Sequence, residues 1–127
     1  MKTIEICGKE YKLECNALTP LKYNSFFNRG LIKDTEALQE YFIKQVIIKQ
    51  QVDAEKISDA EKIDKISSYM RDYVDEFILN VERVTWILIY TANPNIENFE
   101  KWLEGINLKV NDSWIAEVTE FAVDCFC

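Results

Sequence analysis

The sequence predicts a mainly α protein (α+β in class): an N-terminal β-hairpin followed by a bundle of about four to five helices, including one long central helix. Three observations carry that reading. The first fifteen residues alternate with period two around a glycine, apolar residues recur at three- and four-residue spacing through most of the remaining chain, and Asp59 to Ala92 reads as a single helix along which an apolar seam continues. At 127 residues the chain is expected to be one domain, with the hairpin in 1–16, the helical body in 19–127 and a soft segment at 52–68.

The hairpin comes first. Ile4 and Ile6 alternate with Thr3, Glu5 and Cys7, Gly8-Lys9 offers a two-residue turn, and Tyr11, Leu13 and Cys15 alternate with Lys12 and Glu14. Two strands are marginal alone, so the hairpin must lie on helices or pair with an edge in another copy. Next, Thr19 as N-cap and Pro20 at the first helical position open a short helix that carries Phe26 and Phe27 into the core and closes at Gly30. Asp34 or Thr35 then caps a longer helix to about Gln51. Its stripe is Leu38, Tyr41, Phe42, Gln45, Ile48 and Val52, and Val46 and Ile47 widen the apolar side as in a helix lying between others.

Ser58 with Glu61 three residues on fits a capping box at the start of the long helix. In its first half Ile63, Met70 and Val74 form one buried stripe among charges; in its second half the seam through Phe77, Val81, Val84 and Leu88 is joined by Ile78, Leu79, Trp86, Ile87, Ile89 and Tyr90 on the other faces. A helix apolar all round is buried all round. At 1.5 Å per residue the helix would run about 50 Å, longer than a compact domain of this size, roughly 36 Å across. It therefore bends near Ser67-Ser68, projects as a charge-rich arm, or is a helix–turn–helix folded back on itself. Ser67 interrupts the heptad, so bundle packing is expected over a coiled coil.

Asn93-Pro94-Asn95 stops that helix, and Asn95 is expected to cap a short one from Ile96 to Glu104 with Gly105 as its C-cap. After a connection at Ile106–Val110, Asn111 or Asp112 starts a last helix with the stripe Trp114, Ile115, Val118, Phe121, Ala122 and Cys125. Phe126 extends its apolar character to the last residues, which pack inward or against a partner.

A net charge of −7 argues against nucleic acid and anionic membranes as partners, and favours a basic partner or simple solubility. The opening residues lack a signal-peptide core and no apolar run is of spanning length, so a cytoplasmic location is expected. Cys7, Cys15, Cys125 and Cys127 lack the spacing of zinc sites and are expected to be free thiols in a reducing compartment. With no histidine, three glycines that form no phosphate loop, and no nucleophile motif, the chain is expected to be no enzyme and to need no cofactor or metal. A DNA mimic would concentrate its carboxylates on one face, whereas here Lys and Arg are interleaved with Asp and Glu.

Several stretches together carry a family resemblance: the hairpin Ile-Cys-Gly-Lys-Glu-Tyr-Lys-Leu, the Thr-Pro helix with paired phenylalanines, Val-Thr-Trp-Ile-Leu-Ile-Tyr-Thr-Ala-Asn within the long helix, Asn-Phe-Glu-Lys-Trp-Leu-Glu-Gly-Ile, and the final amphipathic helix. In this order the chain resembles the tail assembly chaperones of long-tailed bacteriophages and prophages of low-GC Gram-positive bacteria. The resemblance implies a non-enzymatic protein that associates with itself and with the tape measure protein, keeping it soluble while tail tube subunits assemble, and that is absent from the finished virion. The other readings are a tail or head-completion component retained in the particle and a general acidic helical interaction module. No family motif maps a binding residue onto this chain. Aromatic enrichment in interface cores singles out Tyr69, Tyr73, Trp102 and Trp114 as candidate partner-binding residues, with burial in the core as the competing role of each.

Overall fold

The computed structural model describes residues 1–110 and 112–127. It is mainly α: strands β1 (Lys2–Ile6) and β2 (Lys9–Leu13), then helices α1 (Leu18–Phe27), α2 (Leu31–Asp53), α3 (Asp59–Ala92), α4 (Phe99–Glu104) and α5 (Ser113–Phe126). Asn111, one of the two residues expected to start the last helix, lies outside the described residues. Asp112 is the N-cap of α5, and its Oδ2 accepts from the Lys109 N–H at 3.0 Å.

Helix α3 is continuous over 34 residues and its two halves differ in burial, although Leu79, expected to be enclosed, is 52 % exposed. Val84 to Ile89 are six consecutive buried residues, enclosed by β2, α1, α2, α4 and α5. In the first half Met70 is the first buried residue, and Ile63, expected in the stripe, is 65 % exposed. Ile66 packs against the core instead. A seven-residue repeat drifts by about 20° per heptad on a straight helix, so two heptads back from Phe77 the seam has moved off Ile63.

The length of α3 is met by pairing with a second helix. Helix α2 lies against α3 and is joined to it by the five residues 54–58, so the first half of α3 has a partner along its length. The Ser58 cap is present, its Oγ accepting from the Glu61 N–H at 3.2 Å. Lys65 Nζ meets Glu55 Oε2 at 2.6 Å and Lys62 Nζ donates to the Asp53 carbonyl at 3.3 Å, closing the turn. Between the helices Tyr41 stacks on Phe77 with ring centroids 3.8 Å apart, and Lys44 Nζ sits 3.8 Å from the centre of the Tyr73 ring.

The hairpin is antiparallel with Ile6 opposite Lys9, which makes Cys7-Gly8 the turn rather than Gly8-Lys9. Both turn residues have positive φ, 52° and 81°, the geometry whose twist suits a two-residue hairpin. Ile4, Ile6 and Leu13 are buried; β2 lies on α3 and β1 on α5. The Glu14 N–H donates to the Leu88 carbonyl at 3.1 Å, tying the hairpin's exit to the most buried part of α3. The expectation of four free thiols is corrected here. Cys15, just beyond β2, is disulfide-bonded to Cys125 of α5 across a Cα separation of 6.5 Å, while Cys7 and Cys127 are free and exposed. Local spacing could not disclose a bond between residues 110 apart.

Three helix starts also differ from expectation. Helix α1 begins at Leu18, so Thr19 lies inside it: its hydroxyl accepts from the Asn16 N–H at 3.1 Å and pairs with the Thr91 hydroxyl at 3.0 Å. Gly30, expected to end α1, is instead the N-cap of α2, and Asn28 in the left-handed region ends α1. Asp34, expected as a cap, is a buried residue of the first turn of α2. It accepts from the Tyr23 hydroxyl at 2.6 Å and from Arg29 Nε and Nη2 at 2.8 and 3.0 Å. Finally, α4 starts at Phe99 rather than Ile96 because Asn98, not Asn95, caps it, its Oδ1 accepting from the Lys101 N–H at 2.9 Å.

Candidate partner-binding surface

With the core complete, two apolar surfaces stand out among the described residues. The first is an aromatic groove between α1, the end of α3 and α4. Helix α1 runs antiparallel to α3: Thr19 meets Thr91 at one end, and Phe26 and Phe27 reach Trp86 towards the other. Phe26 stands edge-on to Trp86 at 4.9 Å and to Tyr90 at 5.1 Å, and Phe27 meets Phe99 at 4.9 Å. Trp86 donates its indole N–H to the Glu97 carbonyl at 3.0 Å, fixing the turn after α3 so that Ile96 and Phe99 form the far wall. The groove encloses about 650 Å³, and Asn98 and Glu100 supply its polar rim. Phe26, expected in the core, is 49 % exposed. Adjacent helical residues point about 100° apart, and α1 is buried on one side only, so Phe27 packs against the core while Phe26 is left at the groove.

The Asp34 cluster holds α1 in place against α2 and α3. Burial alone would raise the Asp34 carboxyl, but hydrogen bonds from Arg29 and Tyr23 and the Arg29 and Arg83 charges hold it below the ordinary carboxylate range. The same burial and the neighbouring carboxylate push the Tyr23 phenol well above its usual range. Arg83 contributes from 3.9 Å and also donates to the Asn80 side chain. One turn before Trp86 on the same face of α3 lies Glu82, whose carboxyl is raised by burial, partly offset by the Arg83 charge.

The second surface is the outer face of α2. Ile43, Val46 and Ile47 are each about half exposed, so Val46 and Ile47 do not lie between helices as expected. Their i, i+3, i+4 spacing makes one contiguous patch.

Of the residues singled out from the sequence, Tyr69 and Tyr73 are exposed on α3, 50 % and 42 % respectively, near the α2 seam. Trp102 and Trp114, at 3 % and 5 % exposure, lie in the core, the competing role expected of each. Trp102 packs edge-on against Tyr11 of the hairpin at 6.3 Å. Sequence reasoning missed the groove residues Phe26, Tyr90 and Phe99 because they come from three elements. The only local signal was the paired phenylalanines on a ten-residue helix.

What the fold defines is a small, mainly α protein in which a hairpin closes one side of a helical core built on α3. Comparison with protein-family models, with curated proteins and with solved structures yields no match. Among the described residues, no helix is long and apolar enough to cross a membrane.

Proposed function

We propose that this chain is a tail assembly chaperone of a long-tailed phage or prophage, a non-enzymatic protein that covers apolar helical surface of the tape measure protein during tail assembly. The observation that carries the reading is the aromatic groove left open beside a completed core, with Phe26 half exposed along it. An amphipathic helix laid into such a groove is gripped by anchors at i, i+3 and i+4 spacing, the form in which a tape measure protein would present itself. The acidic balance of the chain, −7 overall, keeps loaded complexes apart from one another and away from nucleic acid. Self-association and contact with tail tube subunits belong to the same reading, as does a site of action in the host cytoplasm.

The test is co-expression with the large helix-rich protein encoded just downstream, followed by size-exclusion chromatography with light scattering. Co-elution, with the large protein soluble only in company, is the expected result. A large protein equally soluble without this chain, or this chain found in purified virions, would remove the chaperone reading.

A further inference from the structure

We infer that the aromatic groove of α1, α3 and α4 is the seat of one amphipathic helix whose aliphatic stripe is bordered by lysine or arginine. This deepens the reading above and rests on it. Aliphatic anchors are called for because the floor and walls are Phe26, Phe27, Trp86, Tyr90, Ile96 and Phe99, with the ring edges already satisfied by one another. What remains open to a partner is an apolar trough of about 650 Å³, enough for two or three large side chains of one helix face.

The cationic border is a consequence of charge. The charged side chain that lines the groove is a carboxylate, Glu100, at the α4 wall. One helical turn before Trp86 on the same face of α3 is Glu82. Glu82 makes no ion pair among the described residues; the nearby guanidinium of Arg83 is turned to Asn80 and Asp34. Burial raises the Glu82 carboxyl, the condition that a cation from a partner would relieve. Leu79, a further turn back on that face and 52 % exposed, prolongs the apolar line past Glu82. Glu100 is thus the charged residue of the lining and Glu82 lies one turn beyond Trp86, and the lining holds none of the cations that an acidic or phosphorylated partner would need. The half-exposed ring of Phe26 adds attraction for the same cations.

The experiment uses the whole chain and two synthetic helical peptides of roughly 20 residues, about 30 Å long. Both carry leucines at i, i+3, i+4 and i+7. One has lysines bordering the stripe and the other has glutamates. The expected result is that the lysine peptide binds at least about tenfold more tightly by calorimetry, and that the Glu82→Lys/Glu100→Lys chain reverses this preference. Phe26→Ser should weaken both peptides. Because Glu100 and Phe26 are exposed, Glu100→Lys and Phe26→Ser each give a folded chain by circular dichroism, and Glu100→Lys alone should cancel most of the preference if the double variant does not fold. No binding of either peptide, a preference unmoved by Glu100→Lys, or amide shifts centred on Ile43–Ile47 rather than on the groove would each overturn the inference. A groove that binds the lysine peptide while the downstream protein proves soluble on its own would leave the inference standing and remove only the chaperone role.

Discussion

The two halves of α3 share one helix and almost nothing else. From Val84 to Ile89 every side chain is buried, because five other elements wrap that segment. From Asp59 to Ser67 charged and exposed residues dominate, and packing is confined to the seam with α2 and to the ion pair of Lys65 with Glu55. Helix formation and burial are therefore separate decisions. Both halves are helical because both lack breakers and the first is capped by Ser58, yet only the second nucleates a core. The contrast also explains where partner surface is left. Apolar residues on the wrapped half are consumed except for Leu79 and the half-buried Tyr90 beside the groove, whereas apolar residues beyond the core, Ile63 on α3 and Ile43 to Ile47 on α2, stay open.

That contrast can be tested directly. Leu88→Ala, at a fully buried position, should cost about 2–5 kcal/mol in urea unfolding, while Ile63→Ala should change stability by no more than about 0.5 kcal/mol. Equal effects would mean that the first half of α3 is packed against something other than α2. The disulfide probes the wrapped half from its edge, since Cys15 and Cys125 bracket the hairpin and α5 against α3. Its removal by Cys15→Ser should lower stability by about 2–4 kcal/mol, or roughly 10 °C in Tm. A Tm insensitive to reductant would show that the bond is not formed in solution.

The Asp34 cluster extends the contrast to the junction of α1, α2 and α3. Asp34→Asn should cost about 1.5–3 kcal/mol, because it weakens charge-assisted hydrogen bonds at a buried site. Asp34 has a folded pKa below its unfolded value, near 3.9, so the carboxylate's contribution is complete above that value and is lost as pH falls through the lowered folded one. Acid unfolding of the wild type should therefore show a stability loss below about pH 4 that Asp34→Asn lacks, and parallel acid limbs would refute this. The smallest effect belongs to the outer half. Ser58→Ala should cost about 1 kcal/mol and speed hydrogen exchange over 59–66 while leaving 80–90 unchanged. Uniform acceleration along α3 would show that the helix opens as one unit.

Much of the fold was legible because it rests on local signals. Period two around Gly8 marked the hairpin, Ser58-x-x-Glu61 marked the start of α3, and the stripe from Trp114 to Ala122 marked α5. Boundaries failed where a polar residue had a tertiary use instead of a local one. Thr19 resembled a cap but pairs with Thr91, and Asp34 resembled a cap but binds Arg29 and Tyr23. The candidate site fared worse than the fold. Aromatic character alone could not separate Trp102 and Trp114, which the hairpin and the bundle bury, from Phe26 and Tyr90, which border the groove.

Periodicity, capping and composition over neighbouring residues were enough to establish which segments are helix or strand, that the end of α3 must be enclosed, and that the chain is acidic. It took the packed molecule to bring Cys15 to Cys125, to set α2 against α3, and to leave a groove among Phe26, Trp86, Tyr90 and Phe99. Those outcomes depend on residues up to 110 positions apart, whose approach is set by how whole elements pack and not by the order of residues within any one of them.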